Sequence, residues 1–197
     1  MFTIKYSTKR PLVLTAPFCF ISNRIMTSKK SYPITGDNMK IDKSKLKVYA
    51  VFLLITGAVG GLSALLTNMG MESYKAAAKP PLTPPDIVFP IVWSVLFTLM
   101  AISAARVWLT DNSRLKNRAM IVYALQLFFN FFWSILFFNF QAYGLAFLWI
   151  IGLWLIILLM IVRFYNIDKL AGLLQIPYLL WVTFAGYLNY GVWMLNR

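Results

Sequence analysis

The chain of 197 residues has no histidine and a single cysteine, Cys19. Histidine is the commonest metal ligand and the usual general base near neutral pH, so its absence argues against zinc or haem ligation and against histidine-dependent hydrolysis. One thiol closes no disulfide within a chain and builds no cysteine-rich metal site. We therefore expect no acid–base catalytic residue, no metal site and no tightly bound cofactor.

Acidic residues are also scarce, with six Asp and Glu against nineteen Lys and Arg and a formal net charge of +13. An excess of this size suggests nucleic-acid binding when it covers a folded face. Here ten of the nineteen basic residues lie within residues 1–47. Because the excess belongs largely to an N-terminal segment, no nucleic-acid partner is predicted.

Hydrophobic residues make up 60% of the chain, and charged residues only 13%. A helix needs about 20 apolar residues to cross a bilayer, where its backbone groups must bond to one another. Five stretches of this kind predict an all-α integral membrane protein, a five-helix transmembrane bundle with the lipid bilayer as a partner. The predicted spans are residues 48–68, 87–109, 120–140, 143–164 and 173–195.

The connections and flanks refine this topology. Because residues 141–142 allow only a tight link, the third and fourth helices should be antiparallel neighbours. Ten basic residues flank the spans on the N-terminal side of the membrane, against three on the other side. Positively charged loops stay in the cytoplasm, which predicts a cytoplasmic amino terminus in a bacterial cell membrane. A mitochondrial or other organelle membrane is the alternative.

Residues 1–45 are predicted to be a basic, disordered extension, and residues 46–197 to be the membrane domain. Residues 1–36 contain no Asp or Glu but several Ser and Thr, a composition that resembles a mitochondrial transit peptide. The alternative is an upstream extension before Met39, which is favoured because the segment is rich in Lys rather than Arg. On either interpretation residues 1–40 should be disordered or removed.

Gly57 and Gly61 in the first span have the G-x-x-x-G spacing. This spacing places two positions without side chains on one helix face, which another backbone can approach closely. The sequence leaves open whether that face packs within the bundle or against a second copy in a homodimer.

The segment 69–85 is predicted to be a loop that covers one end of the bundle. Since proline is excluded from helix interiors, Thr83 should N-cap the second helix, with Asp86 completing a capping box. Pro90 would then fall in the second turn and deform it. The predicted rim residues are Lys75, Lys79, Pro80, Pro81, Pro84 and Pro85.

Helical spacing places aromatic and polar side chains on one face of each of three helices. These faces consist of Phe89, Trp93, Phe97 and Met100 on the second helix, Gln126, Asn130, Ser134 and Phe137 on the third, and Tyr178, Trp181, Ala185 and Leu188 on the fifth. Such aromatic stripes more often pack than bind, but together the three faces predict one cavity. Asn130 needs a hydrogen-bond partner inside its span, which is either a ligand or Asn189 or Tyr178.

Four motifs resemble the TspO/MBR family of tryptophan-rich sensory proteins and translocator proteins. They are KPPLTPP at 79–85, VFPIVW at 88–93, NFFWS at 130–134 and PYLLWVTFA at 177–185, the last followed by YLN at 187–189. The resemblance extends over residues 46–197. One departure is Asp86-Ile87, where many relatives carry tryptophan, so the rim is expected to be less aromatic.

The resemblance implies a five-helix bundle, commonly a homodimer, with a pocket that binds porphyrins and haem-like tetrapyrroles and, in animal members, sterols and benzodiazepine-type drugs. The expected function is therefore a membrane-embedded receptor with a sensory or regulatory role, whose ligand is a porphyrin such as protoporphyrin IX or haem. The expected ligand-binding residues are Phe89, Trp93, Phe97, Asn130, Ser134, Tyr178, Trp181 and Ala185. Lys75 and Lys79 are expected to pair with the ligand's propionates.

Two other functions follow from the same resemblance. Trp93 and Trp181 would carry a light-dependent oxidative breakdown of protoporphyrin, because an indole can donate an electron to a light-excited ring. Sterol or lipid binding or transport is the second alternative. The sterol-associated pattern in the last helix fails by one position, between Tyr190 and Arg197.

Overall fold

The computed structural model describes residues 42–68, 70–111 and 113–197, and within these ranges the chain forms helices and no strand. Five helices are long and apolar enough to cross a membrane, as predicted. The elements are α1 (Lys43–Thr67), α2 (Gly70–Ala76), α3 (Val88–Trp108), α4 (Ser113–Ser134) with a π-helical turn (Ile135–Asn139), α5 (Tyr143–Tyr165), α6 (Lys169–Leu173) and α7 (Ile176–Leu195). The predictions for residues 1–41 lie outside the described residues.

Helix α1 begins at Lys43, several residues before the apolar stretch starts. The reason is an N-cap, because the Asp42 carboxylate accepts hydrogen bonds from the Ser44 amide at 3.0 Å and the Ser44 hydroxyl at 2.8 Å. Residues 43–45, predicted to belong to the disordered extension, are therefore helical. Further along, Thr56 of α1 is hydrogen-bonded to Tyr123 of α4, which ties the two helices together inside the bundle.

The segment predicted as one long loop contains the short helix α2. Tyr74 fixes α2 against the end of α4, with ring centroids 5.5 Å from Phe137 and 5.4 Å from Phe138. The sequence prediction missed α2 because only seven residues give too short a periodic signal. Tertiary contact with two aromatic rings supplies the stability that so short a helix lacks by itself.

The predicted capping box is wrong. Helix α3 begins at Val88 without a side-chain cap, and the Thr83 hydroxyl instead donates to the Pro80 carbonyl at 2.7 Å. The later start puts Pro90 in the first turn rather than the second. No deformation is needed there, because first-turn amides have no partner within the helix.

The third and fourth spans are linked as predicted. Gln141, with φ 52°, turns the chain between the π-helical turn and α5, and α4 and α5 then pack side by side. The Phe129 and Trp149 rings stack at 4.5 Å, and the Trp149 indole donates to the Phe129 carbonyl at 2.8 Å. A tight link therefore produces a closely packed helix pair.

The predicted fifth span corresponds to α7, and the short helix α6 precedes it. Asp168 caps α6 by accepting from the Ala171 amide at 3.0 Å, and it also accepts from the Arg106 guanidinium at 2.7 Å. Burial raises the pKa of the Asp168 carboxyl, but these two hydrogen bonds and the positive charge of Arg106 outweigh it, so the pKa lies below its usual value. The ion pair ties the end of α3 to the start of α6.

This pair predicts a loss of stability in acid. The pKa of Asp168 is lower in the folded state than in the unfolded state. The ion pair therefore contributes its full stabilisation above the unfolded pKa of about 4, and this stabilisation is lost as the pH falls through the folded pKa. We expect Asp168→Asn to lower the free energy of unfolding by about 1–2 kcal/mol at neutral pH and to flatten the acid dependence. Unfolding midpoints measured across the acid range check this, with the exposed Asp111→Asn as a control; equal profiles for wild type and Asp168→Asn would contradict it.

The glycines of α1 face in different directions. A methyl group at Gly60 would overlap the ring of Phe97, whereas one at Gly57 or Gly61 would meet nothing within 4 Å. The G-x-x-x-G face therefore does not pack within the bundle, and of the two alternatives the intramolecular one is wrong. The close approach inside the bundle is made by Gly60 instead.

Alanine substitution should distinguish the open α1 glycines from a closely packed glycine of α6, Gly172. We expect Gly57→Ala and Gly61→Ala to leave the monomer as stable or to stabilise it by up to about 1 kcal/mol, because alanine favours helix. Gly172→Ala should destabilise it by about 1–3 kcal/mol, since the added methyl group would meet the backbone of Tyr165. Detergent-induced unfolding of each variant measures this, and destabilisation by both α1 substitutions would contradict the assignment.

Candidate functional site

A cavity of about 340 Å³ lies between α1, α2, α3, the end of α4 and α7. Its volume is in the range of small-molecule sites. Its walls are mostly apolar and aromatic, with a few polar side chains. The lining residues are Gly60, Ser63, Ala64, Thr67, Asn68, Met71, Tyr74, Asp86, Phe89, Pro90, Trp93, Phe97, Asn130, Trp133, Ser134, Phe137, Phe138, Trp181, Ala185, Leu188 and Asn189.

Seven of the eight predicted ligand-binding residues line this cavity, and the faces of α3, α4 and α7 meet as the spacing predicted. The ring of Trp93 lies 5.5 Å from Phe97 and 6.5 Å from Trp133, between centroids. Phe89 packs edge-on against Trp181 at 5.9 Å. Trp93 and Trp181, which come from different helices, therefore belong to the wall of one cavity. That these residues bind a ligand stays a prediction.

Tyr178 is the exception, because it lies behind the cavity. It is fully buried, its hydroxyl donates to the Gln126 carbonyl oxygen at 3.0 Å, and it accepts from the Asn130 amide nitrogen at 3.0 Å. Of the partners weighed for Asn130, the interhelical bond to Tyr178 is present, and Asn130 also lines the cavity. The three side chains form a polar floor that positions the Asn130 carboxamide.

Asn189 joins three helices beside the cavity. Its carbonyl oxygen accepts from the Trp133 indole at 3.1 Å, and its amide nitrogen donates to the Tyr143 carbonyl at 2.8 Å. The side chain is fully buried. Both functions of the carboxamide are used, so Asn189 fixes the angle of Trp133 in the wall. In contrast, the buried Trp181 indole nitrogen has no hydrogen-bond partner among the described residues.

The proline-rich segment is fastened to the end of α7. The buried Pro80 lies where a side chain at Gly191 would be, and the Tyr187 hydroxyl donates to the Pro81 carbonyl at 2.8 Å. The Asn196 carboxamide accepts from the Ala78 amide at 3.0 Å and donates to the Ala78 carbonyl at 2.9 Å. These contacts hold the segment rigidly beside the cavity.

The predicted rim is therefore wrong in detail. None of the six rim residues, Lys75, Lys79, Pro80, Pro81, Pro84 and Pro85, lines the cavity. The prolines shape the segment, and the Lys79 ammonium lies over the Tyr74 ring, 4.9 Å from its centroid. The lining at this end of the bundle instead includes Met71 of α2 and the exposed Asp86 just before α3, and we call this part of the lining the mouth.

The contribution of α1 was missed by the sequence analysis. Gly60, Ser63 and Thr67 line the cavity, and Ser63 shares a buried hydrogen bond with Ser134 of α4. The sequence contains a signal for this face of α1. Small and polar residues spaced three and four apart in an apolar helix mark a face turned away from lipid. The prediction relied instead on Gly57 and Gly61, which lie on another, exposed face of α1.

The profile of the TspO/MBR family matches residues 50–194. The chain belongs to the TspO/MBR family. Its resemblance to that family is thereby confirmed, and the protein is a multi-pass integral membrane protein. The matched region contains every residue that lines the cavity.

Bacterial and animal members are similar along most of their length. Protein CrtK of Rhodobacter capsulatus is 36% identical over 152 residues, which cover 77% of this chain and 94% of that protein. Tryptophan-rich protein TspO of Chlorobaculum tepidum is 39% identical over 124 residues, covering 62% and 78%. Translocator protein of Sus scrofa is 29% identical over 150 residues, covering 74% and 88%.

Proposed function

We propose that this TspO/MBR protein binds a flat aromatic macrocycle of the tetrapyrrole class within the bilayer, with protoporphyrin IX or haem as the probe ligand, and acts as a sensor or regulator. The observation that carries the proposal is the single cavity that joins Trp93 and Trp181. The described residues contain no cluster of His, Cys, Asp and Glu that could hold a metal ion. Contact between the aromatic walls and the ring needs no metal site.

The walls of the cavity suit an apolar disc. Indole and phenyl rings attract other aromatic systems in offset or edge-on arrangements, and each such contact contributes about 0.5–1.5 kcal/mol beyond the buried area. The Asn130 carboxamide and the unpartnered indole nitrogen of Trp181 offer polar contacts to a ligand. A few polar groups in an apolar pocket fix the orientation of a ligand.

Titration of the purified protein in phosphatidylcholine nanodiscs tests this proposal. Protoporphyrin IX should quench tryptophan fluorescence and shift its own Soret band in the dark. The Trp93→Phe, Trp181→Phe double variant should weaken binding by about tenfold, because two indole contacts become smaller. Trp154→Phe, Trp193→Phe is the matched control, since neither residue lines the cavity. Equal affinity for the two double variants would count against the site.

The same preparation separates the enzyme candidate from the binding protein. Trp93 and Trp181 both lie on the cavity wall, which supports a role for an indole as the electron donor to a light-excited ring; in the net reaction the ring would be oxidised and dioxygen reduced. A binding protein preserves the Soret band under illumination. An enzyme bleaches it with a new absorbing product, and the double variant should then slow the bleaching.

Lipid or sterol binding has one supporting feature. An outward groove between α5 and α7 has a volume of about 440 Å³ and an almost wholly apolar lining that includes Trp154, Tyr187 and Tyr190. Apolar concave surfaces with aromatic walls suit acyl chains and steroid rings. Labelling by a photoreactive sterol, mapped to peptides of α5 and α7, tests this candidate.

A homodimer would use the open face of α1. Gly57 and Gly61 are uncovered in the monomer, and small residues at this spacing allow close packing of two transmembrane helices. Gly61→Leu should then shift the protein from dimer to monomer in sedimentation measurements. An unchanged dimer fraction would place the interface on another face.

A further inference from the structure

One charged side chain lines the cavity among the described residues, and it is the carboxylate of Asp86. The neighbouring lining residues at the mouth are apolar or neutral. Every basic residue of this end of the bundle is absent from the lining. The charge of the lining is therefore negative, in a protein whose formal net charge is +13.

The position of Asp86 follows from its neighbours. It lies just before α3, two residues ahead of Val88, on an exposed stretch of the mouth. Burial, followed by the negative charge of Asp86, raises the pKa of the Tyr74 phenol. Tyr74 is itself a lining residue, so the carboxylate lies near the same wall. Asp86 forms no ion pair with any described residue.

Neither lysine at this end of the bundle forms an ion pair with Asp86. The Lys79 ammonium lies over the Tyr74 ring and donates to the Lys75 carbonyl at 3.4 Å. Lys75 is exposed on α2, next to the equally exposed Glu72, and neither lines the cavity. The apolar walls thus suit the body of a porphyrin, whereas no cationic side chain belongs to the lining to receive its two propionates.

We propose that Asp86 selects the ligand by charge, so that the cavity prefers macrocycles whose edge at the mouth is neutral or cationic over those that present carboxylates. This inference rests on the proposed function and adds the chemical class of the ligand edge. A ligand carboxylate close to the Asp86 carboxylate is repelled, which weakens binding, and the repulsion grows as water is displaced from the mouth. Salt screens a pair at an exposed mouth, so the preference should shrink at high ionic strength.

The test compares protoporphyrin IX with its dimethyl ester, which has the same ring and no propionate charge. Both are titrated into wild-type protein and into Asp86→Asn, in phosphatidylcholine nanodiscs. Each ligand is compared with itself across the two proteins, so its partitioning into lipid cancels. Asp111→Asn is the matched control, because Asp111 is also exposed but lies between α3 and α4, outside the cavity.

We expect Asp86→Asn to raise the affinity for the free acid by about fivefold at low salt and to leave the affinity for the ester unchanged. The control Asp111→Asn should change the affinity for neither ligand. Equal effects on acid and ester, or no effect on either, would overturn the role of Asp86 and leave the proposed function standing. If wild type binds the acid more tightly than the ester and Lys79→Gln abolishes that difference, the role of Asp86 is overturned too, since lysine would then recognise the propionates. If neither ligand binds wild type, the proposed function fails and this inference with it.

Discussion

Ala185→Phe is expected to weaken protoporphyrin binding by about 100-fold, the equivalent of about 2.7 kcal/mol. Ala185 lies in the cavity wall on α7 between Trp181 and Leu188, which line it too. A benzyl group there would occupy the space that the macrocycle needs. Because that space is empty, the fold should tolerate the ring better than a packed core would, where enlargement costs about 1–3 kcal/mol.

The measurement is the Soret titration, accompanied by an unfolding curve for the same preparation. Leu180→Phe is the control, because Leu180 is on the same helix but 65% exposed on its outer face. Loss of binding by Ala185→Phe alone, with unfolding midpoints alike, supports the cavity as the binding site. Normal binding by Ala185→Phe would refute it.

Asn189→Leu should lower the free energy of unfolding by about 2 kcal/mol. The substitution keeps the approximate shape but leaves the buried Trp133 indole without its acceptor and the Tyr143 carbonyl without the Asn189 donor. A buried group left unpaired costs about 1–3 kcal/mol, and hydrogen bonds between transmembrane helices contribute about 0.6–1.7 kcal/mol each. The variant should also bind porphyrin less well, because Trp133 is no longer held in the cavity wall.

A double-mutant cycle checks this result. In SDS-induced unfolding, the double variant Trp133→Phe, Asn189→Leu should lose less free energy of unfolding than the two single variants together. The reason is that Trp133→Phe removes the group that Asn189→Leu leaves unpaired. Asn166→Leu is the control, because Asn166 is exposed at the end of α5. Strict additivity would show that Asn189 and Trp133 do not act as a pair.

Much of the site followed from helical periodicity. Phe89, Trp93 and Phe97 share a face because residues three and four apart lie on one side of a helix, whatever the helix packs against. The same rule predicted Asn130 and Ser134 on α4. The rule cannot tell how deep a side chain lies along the face. Tyr178, which fits its stripe as well as Trp181 does, proved to lie behind the cavity, bonded to Gln126.

The sequence by itself determined the solvent, the number of spans and their order, because a run of about 20 apolar residues has no alternative to crossing lipid as a helix. Tertiary structure alone decided what surrounds the cavity. Helix α2 is held because Tyr74 packs against Phe137, and the segment before α3 brings Asp86 into the cavity lining. Contacts of this kind join residues distant in the chain, and they depend on helix rotation and depth, which the hydrophobic pattern does not encode.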